Sequence, residues 1–482
     1  MIQTFTCSDL ILYEKIKSNW VDYFISQNED IKFFMSKLFY LCKIFDDDIC
    51  KLIIDFSKQT SNKSYRYWTI QEISRITFHL QKGFYKNYYI DRRDVLKQAF
   101  EDCNISVPVR IMKEANNRLC IITPLLDGSI KNSVSRVALM IANGMLPHYR
   151  EILLVSLDVF SPTLIENKCI TTVLPYPSAK SKKAEIDKMF HDGINIHYPE
   201  GENYCNKMQD SLNAIYDFNP EVIIDISDEY SVLSFCYTRD YTVYYEPLRC
   251  SSSSLDFTYI IGLGSKHIYE LSNKVFNSFD LNKIAEWSFP EYVPELSNIY
   301  TRNELGLPND AFIIVCIGNN STCCDNEFVD FICSLLIKHN KFRLLLIGQG
   351  APDYLKVKYS NLIENKKVIE WGYEKNLYGI CSVCDVLIRP NMSGGSGATA
   401  IAAMSGLPIA MTTYICDPSR WLGLNFSNNE NYQQLMEYIQ KLYEDQCFYE
   451  NEKRRCMELV NLAVDSESKW NDLAKILKKG CG

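Results

Sequence analysis

Hydrophobic positions follow two regimes along this chain. Up to about residue 110, apolar side chains recur at the three- and four-residue spacing that lines one face of a helix. Tyr13, Ile16 and Trp20 do so, and again Phe33, Phe34, Leu38 and Leu41. The first 100 residues contain no proline and one glycine, Gly83, so little interrupts a helix there. The same stretch carries 20 of the 61 aromatic residues, enough to fill a small helical core. An all-α N-terminal domain is predicted over 1–112.

Beyond that point short apolar runs alternate with helical stretches. Strands are predicted at Leu119–Thr123, Glu151–Leu157, Ile194–His197, Glu221–Ile226 and Thr242–Tyr245, with helices near Asn132–Met145 and Asn203–Phe218. Phe289–Asn298, carrying Pro290 and Pro294, reads as a linker. The alternation then restarts with Ala311–Ile317, Phe342–Ile347, Lys367–Glu370, Asp385–Ile388 and Leu407–Thr412, and ends in helices over 431–478. Strand and helix in alternation mean βαβ units on parallel sheets. The expected fold class is α/β, two Rossmann-like domains (113–295 and 296–482) preceded by the helical segment. Open α/β sheets bind ligands at the carboxyl ends of their strands, so each half should present such an edge.

Composition narrows the partners. The 482 residues are 47% hydrophobic and 23% charged, the balance of a globular protein, and the net charge is −8. That argues against nucleic acid as a partner bound through a broad basic surface. No apolar run reaches the roughly 18–20 residues of a membrane span. MIQTFTCSDLILYEK lacks the basic and apolar regions of a signal peptide, so a cytoplasmic location is expected, with peripheral membrane contact left open. The 19 cysteines are odd in number and scattered, unlike a secreted disulfide framework. Cys381 and Cys384 have CxxC spacing and Cys323 and Cys324 are adjacent, but no second ligand pair follows, so buried thiols are expected and no metal site.

Chemistry concentrates in Asp385–Pro408. A buried strand runs into Gly394, Gly395, Ser396 and Gly397, then a short alanine-rich helix stopped by Gly406 and Pro408. The free N–H groups at such a helix start suit a phosphate.

In this setting the sequence resembles the GT-B glycosyltransferases, family 4 in particular, over residues 116–430 and most closely from Tyr300 to Thr413. Arg302-Asn-Glu304 with Pro308 and Asp310 resembles the start of that family's donor-binding domain. Phe342–Gly350 resembles its second strand and Gly-x-Gly; Trp371-Gly372-Tyr373, Leu377-Tyr378 and Cys384-Asp385-Val386 resemble the run before the donor loop. Gly394–Pro408 resembles the loop itself. The resemblance implies a hexosyltransferase-like, metal-independent enzyme. It would move sugar from a nucleotide diphosphate sugar, a co-substrate with no resident cofactor, to an acceptor glycan, protein or small molecule. Donor-binding positions would be Gly394, Gly395, Ser396, Gly397, Ala398, Thr399, Arg389, Asn319, Asn320 and Tyr373. Asp127 and Gly128, ahead of Asn132–Arg136, resemble the acceptor-side loop. The catalytic residues stay unassigned. Asp225, Asp228, Glu229 and Glu246 stand at later strand ends, where a carboxylate could orient an acceptor or merely cap a turn; His148 and His267 also sit near loops.

Two departures keep a second reading open. The family usually has a ribose-binding glutamate five residues before the glycine of the last element; here that position is Ile401. It also usually has an arginine and a lysine after the first strand of this domain, where this chain has Gly318-Asn319-Asn320-Ser-Thr-Cys-Cys. Developing diphosphate charge then needs other donors: Arg389, Arg420 or the N–H groups at 395–398. The alternative is a non-catalytic GT-B partner subunit that binds an acceptor protein or stabilises a catalytic glycosyltransferase, with the helical domain as protein-docking module. A dinucleotide oxidoreductase is disfavoured, since Leu119–Ser129 lacks GxGxxG.

Overall fold

The computed structural model describes most residues from 21 to 479. Outside the described residues lie 1–20, 42–46, 70–87, 111–115, 128–132, 159–178, 228–232, 246–258, 264–283, 292–298, 320–323, 392–394, 414–417, 480–482 and a few single or paired positions. Tyr13, Ile16, Trp20, Asp228, Glu229, Glu246, His267, Pro294 and Cys323 fall among them. The chain divides into two units, Met1–Gly262 with Tyr269–Ala285 and Leu473–Gly482, and Leu263–Ile268 with Glu286–Asp472.

In the first unit, helices α1 (Glu29–Leu41), α2 (Asp47–Gln59) and α3 (Tyr88–Cys103) come from the aromatic-rich segment. Arg66 ties α2 to α3: its guanidinium donates to Ser57 O (3.2 Å) and Thr60 O (2.7 Å) and pairs with Asp102. The described residues of these helices share the core of the sheet. Phe33, Ile53 and Ile54 share one buried cluster with Cys120, Ile122 and Leu153 of the sheet. Tyr67 lies against Tyr204 (centroids 4.2 Å apart), Cys103 is disulfide-bonded to Cys205, and Ser106 and Gln209 exchange two hydrogen bonds.

The first sheet has seven strands in the order β3-β2-β1-β4-β5-β6-β7. They are β1 (Arg118–Thr123), β2 (Glu151–Ser156), β3 (Ile194–His197), β4 (Val222–Asp225), β5 (Thr242–Tyr245), β6 (Tyr259–Leu263) and β7 (Ile284–Trp287). The first five meet the sequence expectation; β6 and β7 lie beyond it. β1 runs parallel to β2 and β4, β2 to β3, β4 to β5 and β5 to β6. Leu119–Thr123 is buried throughout, the continuous apolar signature of a sheet covered on both faces. Helices α4 (Ser133–Met145) and α5 (Tyr204–Phe218) connect strands, and α5 is capped by Asn203, which accepts from Asn206 N–H.

The second sheet is all-parallel, in the order β10-β9-β8-β11-β12. Its strands are β8 (Phe312–Asn319), β9 (Phe342–Gln349), β10 (Val368–Gly372), β11 (Val386–Ile388) and β12 (Ile409–Ala410). Helices α6 (Asn326–Lys338), α7 (Ser396–Met404), α8 (Tyr432–Glu444) and α9 (Gln446–Val464) belong to the same unit, and α10 (Ser466–Lys479) closes the chain. The far end of α10, from Leu473, belongs to the first unit, where Tyr244 Oη donates to Ile476 O (2.9 Å). Arg302 and Asp385, both within the motif resemblance, are structural. Arg302 donates to Val383 O, Ala311 O and Asp385 Oδ2 (2.9, 2.8 and 2.7 Å), and Asp385 also accepts from Ile313 N–H. They tie the starts of β8 and β11 together, at the end of the sheet opposite the glycines. Burial pushes Asp385 up from its ordinary value despite Arg302. Among the described residues, no helix is long and apolar enough to cross a membrane.

Candidate functional site

The carboxyl ends of β8, β9 and β10 carry Gly318, Gly348 and Gly372. Gly348 has φ +111°, and a Cβ on it would fall onto the carbonyl oxygen of Gly318. The two strand ends therefore approach at a spacing that only glycine permits. Asn319 ends β8, with its side chain outside the described residues, as is all of Asn320. After Gly372 the chain makes a rigid turn. Trp371 Nε1 donates to Glu374 Oε2 (3.1 Å), Glu374 Oε1 accepts from Asn376 N–H (2.7 Å), and Asn376 Oδ1 accepts from Gly379 N–H (2.8 Å). On that turn Tyr373 is presented 69% exposed. A fixed loop holding out an aromatic ring is preorganised to stack on a planar ligand.

Strand β11 leads to Arg389 and then α7. Gly394 lies outside the described residues. Gly395 is the N-cap, with a left-handed backbone (φ 75°) and no side chain to serve the helix. By contrast α6, α8 and α9 start on Asp325, Asn431 and Asp445, whose side chains each accept a first-turn N–H. Thr399 N–H bonds back to Gly395 O (3.1 Å), leaving Ser396, Gly397 and Ala398 with N–H groups that have no acceptor inside the helix. These three residues are half-buried and Thr399 is buried. The helix ends as the sequence predicts. Gly406, at φ 88°, donates to Ala403 O, and Leu407 N–H reaches Ala402 O (3.0 Å each).

Arg389 is buried, 6% exposed, and faces the loop from within. Its Nη1 donates to Thr399 Oγ1 (2.7 Å) and Gly395 O (3.1 Å), and Thr399 Oγ1 also donates to Gly395 O (2.9 Å). The side chain of Arg420 lies outside the described residues.

Sequence reasoning missed Glu291. Read only as part of a linker, it accepts a short hydrogen bond from Ser396 Oγ, which in turn accepts from Trp421 Nε1 (3.0 Å). A carboxylate thus stands beside the first residue of α7, although position 401 has none. No local spacing announces it, because the contact joins residues 105 positions apart. Cys381 and Cys384 are buried, and burial pushes Cys381 up to about 12 and Cys384 well above its ordinary value.

The matching edge of the first sheet is built differently. Asp127 is half-buried and its N–H donates to Ser135 Oγ (3.1 Å), folding the loop onto α4; Gly128 lies outside the described residues. Asp225 is fully buried. It accepts from Ser227 N–H (2.7 Å), Ser227 Oγ (2.6 Å) and Tyr237 Oη, which accounts for it as a turn-holding carboxylate. Asp158, two residues past β2, is buried at φ 50° and accepts from Ala179 N–H (3.0 Å), with the Lys207 ammonium 3.9 Å away. His148 is held below its ordinary value by burial and then by Lys478.

No family model matches the sequence, and neither does any curated protein, so the resemblance to family 4 rests on the motif residues alone. Solved structures do match in fold. An O-GlcNAc transferase from Thermobaculum terrenum superposes with a TM-score of 0.58 at 11% identity, over 90% of this chain and 84% of that one. A glycosyltransferase from Rickettsia africae gives 0.56 at 12% identity, over 76% of this chain and 99% of its own. The Anabaena protein HepE, in complex with UDP, gives 0.53 at 11% identity, over 75% of this chain and all of its own. Two Rossmann-like sheets, an N-terminal helical segment and these likenesses agree on one architecture: the chain has a GT-B glycosyltransferase-like fold.

Proposed function

We propose that this protein is a glycosyltransferase whose nucleotide diphosphate sugar lies at the carboxyl edge of the second sheet. The observation that carries the reading is the start of α7, where Ser396, Gly397 and Ala398 offer uncapped N–H groups behind a glycine N-cap. These donors would neutralise the diphosphate as the sugar leaves, with no metal ion required. Tyr373, held out by the Trp371–Asn376 turn, would stack on the base. HepE, which shares the fold, is a UDP complex, and this supports a nucleotide donor. The acceptor would meet the first unit near Asp127.

The test is a melting scan with UDP and GDP at millimolar concentration. A ligand at 100 times its Kd adds about 2.7 kcal/mol of stability, a shift of several degrees. The expected result is stabilisation by one of the two, followed by hydrolysis or transfer from the matching sugar nucleotide. A second reading is favoured by Ile401, an apolar residue where the resembled family has a glutamate. If neither nucleotide raises the melting temperature, the reading as a non-catalytic GT-B partner subunit becomes the better one.

A further inference from the structure

We infer that Arg389 is a positioning residue: it fixes the phosphate-facing turn of α7 from behind, through Gly395 O and Thr399 Oγ1, rather than by touching a nucleotide. The inference builds on the donor site proposed above but concerns how that site is held. Three observations carry it. The guanidinium is 6% exposed and one nitrogen, Nη1, makes both contacts, with Thr399 Oγ1 and Gly395 O also bonded to each other. This triangle spans the N-cap and the fourth helical residue, so it locks the turn whose N–H groups face outward. Next, a Cβ on Gly395 would lie 2.7 Å from Nη1 and 3.4 Å from Nη2. The missing side chain at 395 therefore makes room for the arginine as well as permitting φ 75°. Lastly, the backbone of Arg389 is itself fixed in the sheet, its N–H donating to Ala410 O (2.9 Å), so the guanidinium reaches the turn from a held position.

Arg389 and Gly395 are thus a matched pair. The cation strengthens the field at Ser396–Ala398 without occupying space there, and the hydroxyl of Thr399 relays the hydrogen bond. Ordinary reasoning from a buried arginine would assign stability alone, so the test separates local order from global stability.

Amide hydrogen exchange is measured at 396–400 in the ligand-free protein, alongside UDP or GDP affinity by calorimetry. Arg389→Met should speed exchange in that turn on the order of 10-fold and leave the sheet amides unchanged. It should weaken the nucleotide on the order of 10- to 100-fold, and Arg389→Lys should recover part of both. Thr399→Val, which keeps shape but removes the relay, should show the same pattern more weakly, and Thr399→Ser should match wild type. Should Arg389→Met fold poorly, the two threonine variants decide. Gly395→Ala should disturb exchange more in the wild-type background than in the Arg389→Met background. Two results overturn the inference: unchanged exchange at 396–400 in both Arg389→Met and Thr399→Val, or lost affinity with unchanged exchange, which would put the guanidinium on the nucleotide. If wild type binds neither nucleotide, the donor reading fails, and the exchange data still decide whether Arg389 holds the turn.

Discussion

The two sheets present the same edge in opposite ways. In the first unit the strand ends carry polar side chains that are spent internally. Thr123 Oγ1 donates to Leu125 O (3.1 Å), Ser156 to Asp158 (3.3 Å), and Asp225 gathers three donors from Ser227 and Tyr237. In the second unit the strands end on Gly318, Gly348 and Gly372, and the helix after β11 starts on Gly395. A carboxylate or hydroxyl at a strand end can satisfy a loop and close it. A glycine brings no side-chain acceptor, and behind Gly395 the N–H groups of Ser396, Gly397 and Ala398 find none within the helix. The polar edge is fastened by its own side chains, whereas the glycine edge leaves the start of α7 without a side-chain cap. Asp225, a candidate for orienting an acceptor, is fully buried with these three donors around it.

The contrast can be broken from either side. The largest effect is expected for Gly348→Val, which places a branched side chain at φ +111° on the Gly318 carbonyl. Its cost should exceed about 4 kcal/mol and unfold the second unit, visible as loss of one melting transition. A variant that melts normally would mean that the two strand ends can spread. Asp225→Ala should cost roughly 2–4 kcal/mol, because Ser227 N–H, Ser227 Oγ and Tyr237 Oη lose their common acceptor in the interior. Its transition should fall by several degrees while UDP or GDP affinity stays as in wild type; a change in affinity alone would return Asp225 to ligand binding.

Tyr373→Ala should leave melting unaltered, since the ring is exposed, and weaken the nucleotide about 5- to 10-fold through lost stacking. Equal affinity would move the base elsewhere on the edge. The smallest effect concerns pH and should be common to both units. Burial, then Lys478, lowers His148; burial, then Lys338, lowers His339. Each stays neutral in the fold where the unfolded chain takes up a proton. Stability should therefore decline as pH falls through the ordinary histidine value of about 6.5 toward the lowered folded values. His148→Gln and His339→Gln should each flatten that decline, which melting at pH 7.5 and 5.5 would register.

Much of this arrangement is legible in the chain itself. The alanine-rich helix between Gly395 and Gly406 is bounded by residues whose backbone preferences are local, and the structure starts and stops it there. The runs at 119–123, 312–317 and 344–347 are apolar on both faces, and such runs become buried parallel strands. Strands β6 and β7 escape the same reading because Tyr259–Leu263 and Ile284–Trp287 carry glycine or charge within a short run.

Neighbouring residues dictate the order and period of the elements, since propensity, turn chemistry and apolar spacing all act over a few positions. Partners are chosen only when the elements pack. Packing joined the aromatic helices to the first sheet's core, brought Glu291 to Ser396, and turned Arg389 inward to Gly395 and Thr399. Those choices depend on which surfaces meet once the strands have paired, and a charged residue's direction carries no local signature. Arginine at the end of an apolar strand can face outward at the sheet edge or turn back to the loop beside it. Only the packing of α7 over β11 settles which of the two it does.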